Sequence, residues 1–282
     1  MNSLTLRGVL AEIAALQGQR VDRVLALDSW TLRLDFASSA IVVSVHPRHP
    51  TLFVEPLDPP PSASSVPFAQ HAAGQLGRGR LVEARQTGLD RVAALGFELR
   101  DRLGDPVHRQ LIAELTGPAA DLVLVEGKTL GSGRVRERLR AEGKERRQSE
   151  YTPPASGKMD ASQADDADLM AALAQSIATH GPGPRALVHA WQGVSPSIAR
   201  EILARAAKPE QLLDVVNAWR ELLESTLPTR SGGLSAAKPE PTLVTRADGT
   251  TEVECFRPRD AASGDWASFS SVSAALRESF RR

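Results

Sequence analysis

The feature that most limits how this chain can fold is a switch in its apolar period near Arg134. Up to Val125 the apolar residues gather in short, β-branched runs, the pattern of strands whose side chains alternate between two faces. Such runs predict strands at 21–28, 31–36, 40–46, 51–54, 80–86, 90–100, 108–115 and 121–125. That is about eight, as a sandwich or flattened barrel needs. Two helices fit among them. Leu4, Leu6, Val9, Leu10, Ile13 and Leu16 mark an amphipathic helix over 4–17, and a short one is expected around 68–76. Between Glu55 and Pro67 five prolines exclude a central strand and predict an extended loop.

Beyond the switch, Tyr151-Thr152-Pro153-Pro154 with Gly157 marks a boundary, and helices are predicted at 165–180, 185–191, 195–207 and 209–227. A Pro/Gly/Ser-rich linker follows over 228–241. Two short strands at 242–246 and 251–256 straddle Asp248-Gly249, a hairpin signal, before a last helix over 271–280. The expected class is therefore α+β. It comprises a β-sandwich-like domain over 1–150, a helical domain over 151–227, and a linker, β-hairpin and C-terminal helix over 228–282.

Composition removes several functions. No apolar run approaches the ~20 residues of a membrane span, and no charged start leads into a sustained apolar segment, so no membrane partner is expected and the default compartment is the cytoplasm. A single cysteine, Cys255, rules out an internal disulfide framework. Lys+Arg and Asp+Glu both number 34, so net charge makes no case for nucleic acid. Local charge does. Between Lys128 and Arg147 eight basic residues face three acidic ones, a surplus that could hold several phosphates, with Arg134, Arg136, Arg138 and Arg140 as candidates. Without a ligand the same run would be a solvated or frayed helix face.

Two further segments carry candidate chemistry. Gln86-Thr87-Gly88-Leu89-Asp90-Arg91 places a turn glycine and an acid-base pair directly before an alternating strand. Asp90 and Arg91 would diverge if both were extended, so a shared ligand requires Gly88 to bend the chain. Alternatively Asp90 bonds its own turn while the Arg91 stem covers apolar neighbours. Gly193-Val194-Ser195-Pro196 resembles a helix-hairpin-helix turn, in which Gly193 ends one helix and Ser195 caps the next, exposing N–H groups to phosphate. A structural helical hairpin accounts for the same residues.

Other motifs fail. Gly127-Lys128-Thr129 imitates a phosphate-binding loop, but the glycine required five positions before Gly127 is Leu122. His46-Pro47-Arg48-His49 lacks further metal ligands and reads as a surface turn. No Gly-x-Ser-x-Gly turn or nucleophile triad appears, so neither catalytic residues nor a cofactor or metal is expected.

In order, Gly18-Gln19-Arg20-Val21-Asp22-Arg23-Val24, the Gln86 to Arg91 segment, Gly104-Asp105-Pro106, Leu111-Ile112-Ala113-Glu114-Leu115-Thr116-Gly117, Tyr151-Thr152-Pro153-Pro154, Gly193 to Pro196 with Glu201, and Ser268-Phe269-Ser270-Ser271 resemble the amino-terminal part of the NFACT family. That family includes bacterial RqcH, animal NEMF and FbpA-like fibronectin-binding proteins. The resemblance implies a first domain similar to the sheet domain of formamidopyrimidine-type DNA glycosylases and a second with a helix-hairpin-helix. It implies ribosome-associated quality control: binding of a large ribosomal subunit holding peptidyl-tRNA, and recruitment of alanyl-tRNA for C-terminal tailing. The family's Asp-Arg pair for tRNA falls on Asp90 and Arg91. A glycosylase would need an amino-terminal proline amine, whereas the sequence reads Met1-Asn2-Ser3. Fibronectin is the alternative partner that the resemblance implies. Pro118-Ala119-Ala120-Asp121 and the nearly uncharged 68–76 segment depart from the family's pattern, and no heptad run of coiled-coil length is present.

Overall fold

Alternation builds the amino-terminal half into two antiparallel sheets in a computed structural model that describes residues 1–59, 64–140, 149–155, 157–226, 240–246, 249–259 and 264–281. The first sheet is a meander of β1 (Arg23–Ala26), β2 (Thr31–Asp35), β3 (Ser39–Ser44) and β4 (Thr51–Pro56). The second has six strands in the order β10-β9-β8-β7-β6-β5: β5 (Arg80–Gln86), β6 (Val92–Arg100), β7 (Pro106–Glu114), β8 (Asp121–Glu126), β9 (Gly133–Arg138) and β10 (Glu150–Tyr151). Period 2 is visible in its packing. Ala93, Leu95, Phe97, Leu111, Ala113, Leu122 and Leu124 enter the main core, while Val92, Ala94, Ile112, Val123 and Val125 form a small cluster with Tyr151 on the opposite face.

Two strands exceed the eight expected, and β9 lies inside the basic run. Pairing explains it. Without β9 the N–H and C=O groups along that edge of β8 would lack partners, and Val135 adds an apolar contact to the small cluster. A bulge breaks the register, with Leu124 opposite Glu137 but Val125 opposite Val135. Arg136 is the extra residue. The alternation therefore flips at this point, which puts Arg138 on the Val123 and Val125 face with Tyr151.

The helices follow the predicted order. They are α1 (Ser3–Ile13), α2 (Pro67–Leu76), α3 (Asp166–His180), α4 (Pro184–Ala190), α5 (Pro196–Arg205), α6 (Leu212–Ser225) and α7 (Val272–Arg281). The Asp165 carboxylate accepts from Asp168 N at the start of α3, as the acidic cluster there suggested. Helix α6 buries Val215, Val216, Trp219, Leu222 and Leu223, one stripe at helical spacing, and Trp219 meets Trp191 at 6.1 Å between ring centroids. Burying each such side chain contributes about 1.5–3 kcal/mol.

A third sheet, in the order β12-β11-β13, joins β11 (Thr242–Arg246), β12 (Thr251–Glu254) and β13 (Gly264–Ser268), all antiparallel. The chain returns to its beginning. Glu12 accepts from Val272 N (2.7 Å) and Ser273 N (3.1 Å), which caps α7 on α1. Thr5 Oγ1 donates to Val253 O at 2.8 Å, which lays β12 beside the first turn of α1. The main apolar core runs without a break from Leu4 through Ile198 to Leu276. The architecture is mixed α and β, with three antiparallel sheets and seven α-helices among the described residues.

Candidate functional site

The Gln86 to Arg91 segment forms the tight connection between β5 and β6, and strand β6 begins only at Val92. Thr87 N donates to Val92 O and Asp90 N to Thr87 O, each at 3.0 Å. Gly88 supplies the bend with φ +55°. Gln86 Nε2 holds the turn from inside, donating to Asp90 O (2.8 Å) and Ser3 O (3.1 Å). The Asp90 carboxylate accepts from the Arg91 backbone N–H at 2.8 Å, so Asp90 bonds its own turn backbone.

Leu89 is fully buried, and it docks the turn onto the loop between α4 and α5. The fit there is close. A Cβ on Gly193, which has φ +76°, would stand 2.1 Å from Leu89 O, so only glycine permits the approach. Gly193 O also accepts from Ser3 Oγ at 2.6 Å. Gly193 thus serves backbone packing, while Ser195 caps α5 by accepting from Ile198 N at 3.3 Å.

These contacts place Arg91 in a cleft of about 920 Å³, beside Ser195 at the start of α5, with residues of the β3–β4 turn and of β12 also lining it. Arg91 forms no ion pair among the described residues. Its charge is felt nearby: burial first and then Arg91 lower the Met1 α-amino group below its usual range. Asp90 is not among the lining residues, and its carboxylate does not pair with the Arg91 guanidinium. The two adjacent residues therefore divide their work. One shapes the turn, and the other presents a cation.

Glu254, only 2% exposed, also lines the cleft. Its Oε2 accepts from Asn2 Nδ2 at 2.7 Å. Burial pushes this carboxyl up to about 7, although the Ser197 and Asn2 side chains pull it back. Asn2, Ser197 and Glu254 escaped the sequence reading. Asn2 and Glu254 are 252 residues apart, and nothing local in either segment signals the other.

The basic run is arranged differently. Arg138 is buried and pairs with Asp121 (3.3 Å) and Glu114 (3.8 Å). Arg136 meets Glu126 at 3.2 Å. Arg140 donates to Pro118 O and Ala120 O and lies 5.4 Å from the centre of the Trp30 ring. Arg134 is exposed and has no ion pair among the described residues. Lys144, Arg146 and Arg147 lie outside the described residues. The four arginines do not share one face. The neighbouring Gly127-Lys128-Thr129 segment wraps the Gln110 amide, which donates to Gly127 O, Thr129 O and Ser132 O and accepts from Gly131 N. Among the described residues no group of three or more His, Cys, Asp or Glu side chains could hold a metal ion. No helix there is long and apolar enough to cross a membrane.

Comparison with known proteins bears on the whole chain. The family model for NFACT N-terminal and middle domains matches residues 2–282. No curated protein matches the sequence significantly. Among solved structures, a fibrinogen-binding protein from Staphylococcus aureus is 19% identical, with a TM-score of 0.75 over 99% of this chain and 98% of that one. The N-terminal part of a fibronectin/fibrinogen-binding protein from Streptococcus suis is 18% identical, with a TM-score of 0.75 over 100% and 99%. The N-terminal domain of fibronectin-binding protein PavA from Streptococcus pneumoniae is 16% identical, with a TM-score of 0.61 over 100% and 98%. At these identities the likeness concerns the fold.

Proposed function

The chain belongs to the NFACT family, and from that premise we propose that it is a non-catalytic, cytoplasmic RNA-binding module of ribosome-associated quality control. It engages tRNA, with alanyl-tRNA as the expected species, on a large ribosomal subunit that holds peptidyl-tRNA. One observation carries this reading: Arg91 lines a cleft next to the amino-terminal end of α5 and forms no ion pair among the described residues. A planar, permanently charged fork of five donors suits phosphate and base edges. The α5 end adds favourable polarity for an anion. In this reading the α4–loop–α5 unit acts as a helix-hairpin-helix, and the two amino-terminal sheets correspond to the glycosylase-like sheet domain. Arg91 is the tRNA contact, Asp90 fixes the turn that aims it, and exposed Arg134 adds a weaker contact to the RNA backbone.

The test is recovery of RNA bound to the purified chain, followed by sequencing, for wild type and Arg91→Ala. Enrichment of tRNA in the wild type and its loss in the variant are expected. Equal recovery from both would remove Arg91 from the interface.

A second reading is favoured by the structural neighbours, which are described as fibronectin- or fibrinogen-binding proteins. Immobilised fibronectin and fibrinogen test it. Saturable retention of the chain that persists in Arg91→Ala would support adhesion over RNA binding.

A further inference from the structure

Among the described residues, four of the six sheet edges are met by another part of the chain. Beside β1, Ser64 N donates to Ala26 O (2.9 Å), and Val54 N of β4 donates to Ser273 Oγ of α7 (2.9 Å). Beside β5, Gly18 N donates to Leu81 O (2.8 Å) and Leu81 N to Gln19 O (2.9 Å). At β12, Val253 O is taken by Thr5 Oγ1. A fifth edge, β10, is two residues long, too short to template a partner. The sixth is β13, which pairs with β11 on one side and with no described strand on the other. An open edge of this kind invites another strand. It has no bulge, lysine or proline, and Asp265, Trp266, Ala267 and Ser268 are all exposed.

The pairing with β11 decides which backbone groups are open. Phe269 N donates to Pro241 O, so in the antiparallel alternation Ala267 and Asp265 turn their N–H and C=O groups toward Leu243 and Thr245. Gly264, Trp266 and Ser268 therefore turn theirs outward. The middle residue of the three also presents a large ring: Trp266 is 40% exposed, with the Arg257 guanidinium 4.3 Å from its centroid.

We propose that β13 is a self-association edge, where two copies of the chain pair antiparallel about a two-fold axis through Trp266 and merge their three-stranded sheets into one. That register places Trp266 opposite its counterpart and Gly264 opposite Ser268, so every outward N–H meets an outward C=O. It suits the side chains as well. Asp265, the only charge on the strand, falls opposite Ala267 rather than opposite a second Asp265, and the two tryptophan rings lie side by side on one face, a favourable aromatic pair. The chain's zero net charge sets up no long-range repulsion between copies. Two five-residue strands bury less than the ~1,200 Å² of a stable complex, so the dimer is weak and reversible.

Self-association at this edge does not depend on RNA binding. Its test is sedimentation velocity of the full chain from about 5 to about 500 μM, a span suited to a small interface. Wild type should shift from monomer to dimer within that range. Ser268→Pro removes an outward N–H without touching a bond to β11, and Trp266→Lys places a charge at the axis. Each should weaken dimerisation roughly tenfold or more with an unchanged far-UV circular dichroism spectrum. Leu103→Lys, at the 87% exposed tip of the β6–β7 hairpin, should leave it unaltered. In the wild type, amide exchange followed by NMR should slow at Gly264, Trp266 and Ser268 as concentration rises, and not at Asp265 or Ala267. A wild type that stays monomeric would overturn the proposal and leave the edge to a different strand. A dimer that survives both edge variants, or that Leu103→Lys abolishes equally, would overturn it too.

Discussion

The turn before β6 and the strand β9 both present arginines, yet the fold uses them in opposite ways. At the turn, the Asp90 carboxylate accepts from a backbone N–H, and the adjacent Arg91 guanidinium forms no ion pair among the described residues. In β9 and the residues after it, Arg136, Arg138 and Arg140 are engaged by carboxylates or carbonyls of the same sheet domain. A surplus of charge in sequence is therefore a poor guide to charge available for a ligand. What counts is whether folding supplies the counter-charge.

This contrast can be broken most sharply at Arg138. Its replacement by alanine leaves Asp121, fully buried, and Glu114 with one partner fewer. Loss of roughly 3–5 kcal/mol of stability is expected in denaturant unfolding. A loss below about 1 kcal/mol would mean that the ion pairs are not buried as described. Next is Gly193→Ala, where the added Cβ would collide with Leu89 O and the positive φ would be strained. The expected cost is about 3 kcal/mol, visible as a lower melting temperature, and RNA binding should fall because the turn carrying Arg91 shifts.

Glu254 sharpens the comparison through pH. Its carboxyl is raised from 4.5 to about 7 by burial, with Glu252 adding to the rise and the Met1 amino group opposing it. The folded state therefore holds this proton more tightly than the unfolded state does. Its contribution is complete below about pH 4.5 and is lost as pH rises through about 7, at most roughly 3–4 kcal/mol. Unfolding at a series of pH values should show that slope in the wild type and a flatter profile in Glu254→Gln. The smallest effect on stability is expected for Arg91→Ala, within about 0.5 kcal/mol, since the side chain makes no ion pair among the described residues.

Much of the frame was legible because burial imposes period. The alternating residues of β6, β7 and β8 separate cleanly between the two faces of their sheet, and α6 buries one helical stripe. Strand β9 was not legible. Its charged residues give no apolar alternation, and the bulge that sends Arg138 inward depends on register against β8. The site was legible in part. Arg91 stood out through a turn and a family resemblance, but Glu254 and Asn2 meet only because β12 lies on the start of α1. Such a contact leaves no mark in either segment alone.

In the proposed complex Arg91, and not the basic strand, is the principal RNA contact. Titration of alanine tRNA against the full chain at two salt concentrations tests it, comparing Arg91→Ala with the double variant Arg134→Ala/Arg136→Ala. Arg91→Ala should weaken binding roughly tenfold or more, and the double variant by no more than about threefold, with a small change in salt slope. The reverse order, with the double variant crippled and Arg91→Ala near wild type, would move the RNA contact from Arg91 to the basic strand.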